Sequence, residues 1–297
     1  MSTVIVARQP SVTSRRKPIS TLRVLSYAVL VVWSIVVLFP LYWMVTTAFK
    51  NQLDLFPKRL IIPFVQFTPK LDAFNYILTD FADQITNAFK NSLLAAGGSA
   101  LFATFIGAMA GYGLIRFQYK FGKWRNDEIA FWFVSQRMLP PVVIVFPFLL
   151  MYRVAGLVDT VLGLLIAYTL FNLPIAIWIM RDTFRAVPLE IEESAYIDGC
   201  SRFGSFFRIA LPLALPGVVA SLLVCFIFSW NEYLFGLMLT YQNAQPLPVL
   251  IAAQATQQGN YFWNMSAISM IAVAPVLILG TALQRWIVGG LSAGGVK

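Results

Sequence analysis

Histidine is absent from the 297 residues, and cysteine occurs only at Cys200 and Cys225. With no imidazole and no CxxC pair, a zinc site has no ligand set and a cysteine nucleophile has no histidine base. No G-x-x-x-x-G-K-[ST] stretch occurs, which excludes ATP hydrolysis by a P-loop in this chain. Charge is scarce as well. Asp, Glu, Lys and Arg make up 12% of the residues, about half the share of a soluble domain. A water-soluble surface is thereby excluded for most of the chain. The net charge of +9 would suit nucleic acid, but no basic stripe with interleaved aromatics stands outside the apolar stretches, so nucleic-acid binding is excluded too.

What is present is apolar. Hydrophobic residues account for 59% of the chain and mean hydropathy is positive. They fall in blocks at 23–48, 89–114, 128–152, 160–181, 212–238 and 264–288, each close to the ~20 residues that cross a bilayer. The fold class predicted is all-α, a polytopic membrane protein with six transmembrane helices. Arg15, Arg16 and Lys17 precede the first block, but the apolar run from 22 to 49 is too long for a signal peptide and reads as the first span. Lys and Arg gather at alternate ends of the blocks: Arg8, Arg15, Arg16, Lys17 and Arg23; Arg116, Lys120, Lys123 and Arg125; Arg181, Arg185, Arg202 and Arg208. These ends are predicted to be cytoplasmic, and both termini with them. The opposite loops are 50–88, 153–159 and 239–263, the last free of Lys and Arg. The chain then divides into a basic tail at 1–22, a membrane domain at 23–288 and a short tail at 289–297. Within 50–88, the spacing of Phe74, Ile77, Leu78, Phe81, Ile85 and Phe89 predicts short helices on the outer face. They serve either as a cap on the bundle or as a docking surface.

The segment 182–211 is too short for a domain and too long for a turn. Pro188 suits the first position of a helix whose opening turns carry Glu190, Glu192 and Glu193, near the positive dipole end. Gly199 can end that helix in a left-handed conformation, and Ser201 can cap a second one bearing Phe203, Phe206, Phe207 and Ile209. Such a hairpin cannot bury its own aromatics. They must meet the membrane, the ends of the bundle or a partner.

Glu193-Ser194-Ala195-Tyr196-Ile197-Asp198-Gly199-Cys200, followed by Phe206, Leu211-Pro212 and Pro216, resembles the EAA motif of bacterial ABC importer permeases, with Ser194 and Cys200 standing where alanine is usual. Asn75-Tyr76, Asn91-Ser92-Leu93, Gly111-Tyr112 with Arg116-Phe117, Trp230-Asn231-Glu232-Tyr233 and the tail from Gln284-Arg285-Trp286 to Gly294-Gly295-Val296-Lys297 look like the carbohydrate-uptake subgroup. The resemblance implies a permease domain in a bacterial inner membrane, half of a translocation pathway. It implies that the 182–211 loop is a coupling helix seated on a separate ATPase, with Glu193, Ser194, Ala195, Asp198, Gly199, Phe203 and Phe206 as the coupling residues. The implied partners are a second related permease subunit, forming a heterodimer, two ATPase subunits and an external solute-binding protein. ATP and Mg belong to the ATPase, and this chain carries no cofactor.

Polar residues inside spans mark functional positions by default. Pro140-Pro141 in the third block and Pro174 in the fourth are expected to break their helices near mid-membrane and free backbone groups beside a cavity. Gln136, Asn172, Trp230, Asn231, Glu232 and Tyr233 could supply the donors, acceptors and aromatic faces that a sugar needs. Hydrogen bonding between helices is the other use of such side chains, and Arg137 could pair with Glu232. A secondary transporter or channel is the alternative function, but no internal repeat stands out and Glu232 is the only acidic residue deep in a span.

Overall fold

The computed structural model describes residues 21–55, 62–120, 122–256 and 259–293. Arg8, Arg15, Arg16, Lys17, Pro57 and the terminal Gly294 to Lys297 lie outside these residues, as do the side chains of Arg285 and Trp286. Contacts divide the chain into two units, Met1–Trp43 and Met44–Lys297. The described residues of the first form most of helix α1 (Thr21–Ala48), whose apolar side chains from Val24 to Phe39 are exposed, as lipid-facing residues are.

In the second unit, α2 (Gln52–Leu55) and α3 (Asp72–Leu78) precede the long α4 (Ala82–Arg116). Next come α5 (Asn126–Ser135), α6 (Pro141–Ala155), α7 (Val161–Arg185), α8 (Leu189–Ile197), α9 (Arg202–Ser205) and α10 (Leu211–Leu213). The chain closes with α11 (Leu215–Trp230), α12 (Leu234–Leu239), α13 (Leu247–Ala253) and α14 (Phe262–Ala293). Among the described residues, strand pairing amounts to Ala255–Thr256 against Gly259–Asn260, antiparallel.

Among the described residues, four helices are long and apolar enough to cross a membrane: Arg23–Ala48, Ala82–Arg116, Val161–Arg185 and Phe262–Gln284. Two further helix pairs are apolar enough together but sharply bent, Asn126–Met138 with Pro141–Ala155 at 90° and Arg202–Leu213 with Leu215–Trp230 at 77°. The block at 128–152 is therefore broken at Pro140-Pro141, as its prolines predict, whereas α7 runs unbroken through Pro174, contrary to the break expected there. Pro140 lacks an N–H and its φ −61, ψ 124 is extended, and it forces Leu139 out of the helical region as well. The block at 212–238 is also cut, since α11 ends at Trp230 and α12 starts at Leu234. The outer helices predicted before residue 89 are resolved into α3 and the first turns of α4, with Ala73, Ile77 and Ile85 buried in the same cluster as Phe226, Trp230 and Ile268. They pack as a cap on the bundle.

The centre of the bundle is α4 against α7, and α4 is built to approach closely. Ala96, Ala100, Ala103, Gly107 and Gly111 follow one another at helical spacing, the small-residue stripe that lets membrane helices touch backbone to backbone. A Cβ at Gly107 would stand 2.7 Å from the Ala176 Cβ, and one at Gly111 would stand 2.7 Å from the Arg181 backbone nitrogen. Hydroxyl pairs tie α4 to α11, with Ser99 and Ser229 at 2.8 Å and Thr104 and Ser221 at 3.3 Å.

Candidate functional site

The α8–α9 hairpin forms largely as its residues predict. Pro188 is the residue before the helix rather than its first, with φ −58 and ψ 132. Gly199 has φ +84 and stops α8, while Cys200 N–H returns to the Ala195 carbonyl at 2.9 Å. Ser201 Oγ accepts from Gly204 N–H at 3.1 Å and caps α9. A π-helical turn at Phe206–Ala210 then leads to α10. Phe206 is buried on Tyr112 and Phe184, with centroids 4.9 and 6.0 Å away. Glu193, Ser194, Asp198 and Gly199 are exposed and Ala195 is half-buried. Ile197 is 87% and Phe203 73% exposed.

The residue that anchors the hairpin is Glu192, fully buried. Its Oε2 accepts from Tyr112 Oη at 2.6 Å and from Ser205 Oγ at 3.1 Å, and its Oε1 accepts from Arg116 Nε at 2.7 Å. Arg116 Nη2 also donates to the Val187 carbonyl at 2.8 Å. Sequence reasoning placed Glu192 only among the first-turn acids and passed over its anchoring role, because its neighbour Glu193 occupies the motif position. The signal lay elsewhere, in the Tyr112 and Arg116 pair that ends α4 and needs a counter-charge. A second tie on the same face joins Arg181 to Asp127.

The expected pathway residues separate into two groups. Asn172 and Glu232 line one cavity of about 110 Å³ between α7 and the α11–α12 break, together with Arg137, Tyr168, Phe171 and Ser229. Asn172 also bonds across helices, donating to Ser229 Oγ at 2.7 Å and the Cys225 carbonyl at 3.1 Å. Glu232 Oε1 accepts from Phe235 N–H at 2.8 Å and so caps α12. Arg137 donates to the Phe171 carbonyl at 3.3 Å and lies over the Phe228 ring, and none of the described ion pairs joins it to Glu232. The other four do not line this cavity. Gln136 bonds back to the Trp132 carbonyl and Asn231 to the Ile227 carbonyl. Tyr233 is exposed, and Trp230 is buried with its Nε1 donating to the Ala272 carbonyl at 2.9 Å.

At the end of the bundle away from the hairpin, Asp159 clasps the loop after α12. Its carboxylate accepts from the backbone N–H groups of Tyr241, Gln242, Asn243 and Ala244 and from Asn243 Nδ2. Burial alone would raise its pKa, but these backbone donors outweigh it and hold the carboxyl below its ordinary range. A depressed folded-state pKa stabilises the fold above the unfolded value of about 3.9, and that stability is lost as pH falls through the folded value. Asp159→Asn is expected to cost about 1 kcal/mol at neutral pH, screened because the group is partly exposed. It should speed amide exchange at 241–244 and flatten the acid dependence of that exchange. Unchanged exchange would remove the clasp from the account. Nearby, an open cavity of about 590 Å³ is lined by Tyr76, Phe81, Gln84, Gln254, Trp263 and Asn264 among others.

Long apolar helices, a core of small residues and a hairpin at one end define a multi-pass α-helical membrane protein. A family model described as binding-protein-dependent transport system inner membrane component matches residues 103–292. The chain is 32% identical over 274 residues to the inner membrane ABC transporter permease protein YcjP of Escherichia coli, covering 91% of this chain and 95% of that one. It is 30% identical to the trehalose/maltose transport system permease protein MalG of Thermococcus litoralis, covering 90% and 94%. The solved structure of a bacterial ABC transporter involved in the import of the acidic polysaccharide alginate shares the fold, with a TM-score of 0.71, 20% identity and coverage of 91% and 99%. The chain belongs to the family of binding-protein-dependent transport system inner membrane components, permease subunits of ABC importers.

Proposed function

We propose that this permease carries a carbohydrate and is driven by a separate ATPase that docks on the α8–α9 hairpin. The observation that carries the docking is an apolar surface held in water. Ile197 and Phe203 are largely exposed on a hairpin that also exposes Glu190, Glu193 and Asp198. Carboxylates of this density do not sit in hydrocarbon, so the hairpin stands outside the lipid and its apolar tips await a protein partner. Arg116, Arg181 and Arg202 gather at the same end of the bundle, which supports a cytoplasmic placement under the positive-inside rule.

Counting each bent pair as one span gives six crossings with both termini cytoplasmic. Half a pathway requires a second permease subunit, related but not identical, and two ATPase subunits that bind the ATP and Mg. A solute-binding protein delivers the sugar to the opposite face, where the Asp159 clasp and the aromatic-lined cavity lie. Carbohydrate as the cargo rests on relatives such as the trehalose/maltose permease. Asn172 and Glu232 are the pathway residues that the 110 Å³ cavity favours.

The test is co-purification. Replacing both Ile197 and Phe203 by Glu is expected to strip the ATPase from the tagged permease, by roughly the tenfold or more that removal of central apolar anchors produces. The permease itself should remain folded, because both side chains are exposed. Full retention of the ATPase by this variant would sink the docking surface.

A further inference from the structure

We infer that Glu192 is the positioning residue that locks the hairpin to α4, so that the two move as one body. The inference rests on the docking proposed above. Three donors converge on its carboxylate from two elements: Tyr112 and Arg116 from the end of α4, and Ser205 from α9. α8 itself supplies the acceptor. Arg116 holds the same helix at a second point, through the Val187 carbonyl just before its start. The hairpin is thus fixed to α4 by directional bonds at several points, and Phe206 wedges against Tyr112 beside them.

An apolar contact at this place would have stabilised the fold as well or better, since a buried ion pair barely offsets its own desolvation. What a buried, fully matched network adds is a single geometry. Apolar surfaces slide, whereas Tyr112, Arg116 and Ser205 can satisfy the Glu192 oxygens in one orientation of the hairpin only. Elsewhere on α8, Leu189, Glu190, Ile191, Glu193, Ser194 and Ile197 are exposed, and Tyr196 adds a hydrogen bond to Tyr112. Further along, Gly107 and Gly111 press α4 onto the α7 backbone with no room to slip. A push on the hairpin therefore enters the bundle through Glu192 to α4, and from α4 to α7.

The test is a distance measurement in the assembled transporter. Spin labels are placed at Leu189→Cys at the start of α8 and Ile106→Cys on the exposed face of α4, with Cys200 and Cys225 replaced by Ser. Pulsed dipolar spectroscopy is recorded without nucleotide and with ATP plus vanadate. The unaltered latch is expected to give one narrow distance that does not change between the two states. Glu192→Ala should broaden the distribution, and the mean should shift by several ångström when ATP and vanadate are added. Glu192→Gln keeps an acceptor for Arg116 and can donate to the Tyr112 and Ser205 hydroxyls, so it should stay closer to the parent. If Glu192→Ala does not assemble, Tyr112→Phe with Ser205→Ala is read in its place and should broaden the same distance. The latch is overturned if these variants give the parent's distributions in both states, or if the parent's own distance moves with nucleotide. ATPase co-purification is scored on the same samples. Loss of the ATPase from the labelled parent, in which Glu192 is intact, overturns the docking, whereas a retained ATPase with variant distances equal to the parent's overturns the latch alone.

Discussion

Gly111→Leu is expected to abolish the folded permease. A Cβ at Gly111 would already sit 2.7 Å from the Arg181 backbone nitrogen and 3.0 Å from the Met180 carbonyl carbon. Those neighbours are main chain and cannot rotate aside, so α4 and α7 must separate. Overpacking costs about 1–3 kcal/mol where side chains can adjust, and more is expected here. Separation also pulls apart the Ala100, Ala103 and Ala176 contacts that depend on the same close approach. Gly111→Ala should lower the melting temperature of the solubilised protein measurably, and Gly111→Leu should leave only aggregated or degraded material. Gly97 provides the contrast on the same helix, since a Cβ there meets nothing within 4 Å. Gly97→Ala should be neutral or stabilising by up to ~1 kcal/mol, the helix-propensity gain. Equal thermal shifts at Gly97 and Gly111 would refute the close-packing argument.

The second large effect is expected at Gly199. Its φ of +84 lies in the left-handed region, which costs a residue with a Cβ about 1–2 kcal/mol and a β-branched one more. No atom lies within 4 Å of the position a Cβ would take, so the strain comes from the backbone alone. The fold of the bundle should survive while the hairpin re-aims. Gly199→Val is expected to lower uptake roughly tenfold or more, on the scale of a lost coupling free energy, while the subunit still inserts and melts normally. Gly199→Asn, which tolerates this conformation, should transport nearly as well as the parent. If Asn and Val behave alike in a vesicle uptake assay, the turn geometry does not matter.

The hairpin was largely legible from its own residues because its determinants are local. A proline before the helix, a glycine at the left-handed stop and a serine cap each act within a few residues, and Pro188, Gly199 and Ser201 all do so in the structure. The long spans were equally legible, since α4, α7 and α14 follow from apolar length alone. Bent spans were legible in part. Pro140-Pro141 marks the break between α5 and α6, but Pro174 carries the same local signal and α7 runs through it, and the 90° angle at the first break does not follow from the prolines alone. The pathway residues were the least legible. Trp230 and Asn231 are adjacent in sequence, yet one is buried against α14 and the other is exposed. The direction in which a side chain points at a helix end depends on where the helix stops.

Composition and pattern by themselves determined that this chain lives in a bilayer and carries a helical hairpin between its fourth and fifth apolar blocks. Those conclusions depend on hydropathy and on local backbone preference, which are properties of neighbouring residues. The tertiary structure decided that Glu192, and not Glu193, is the buried carboxylate, and that Asn172 and Glu232 share a cavity from which Trp230 is absent. Tyr112 and Glu192 are separated by 80 residues. Only the packing of α4 beside the hairpin brings them within hydrogen-bonding distance, and no local pattern encodes a contact made across that length of chain.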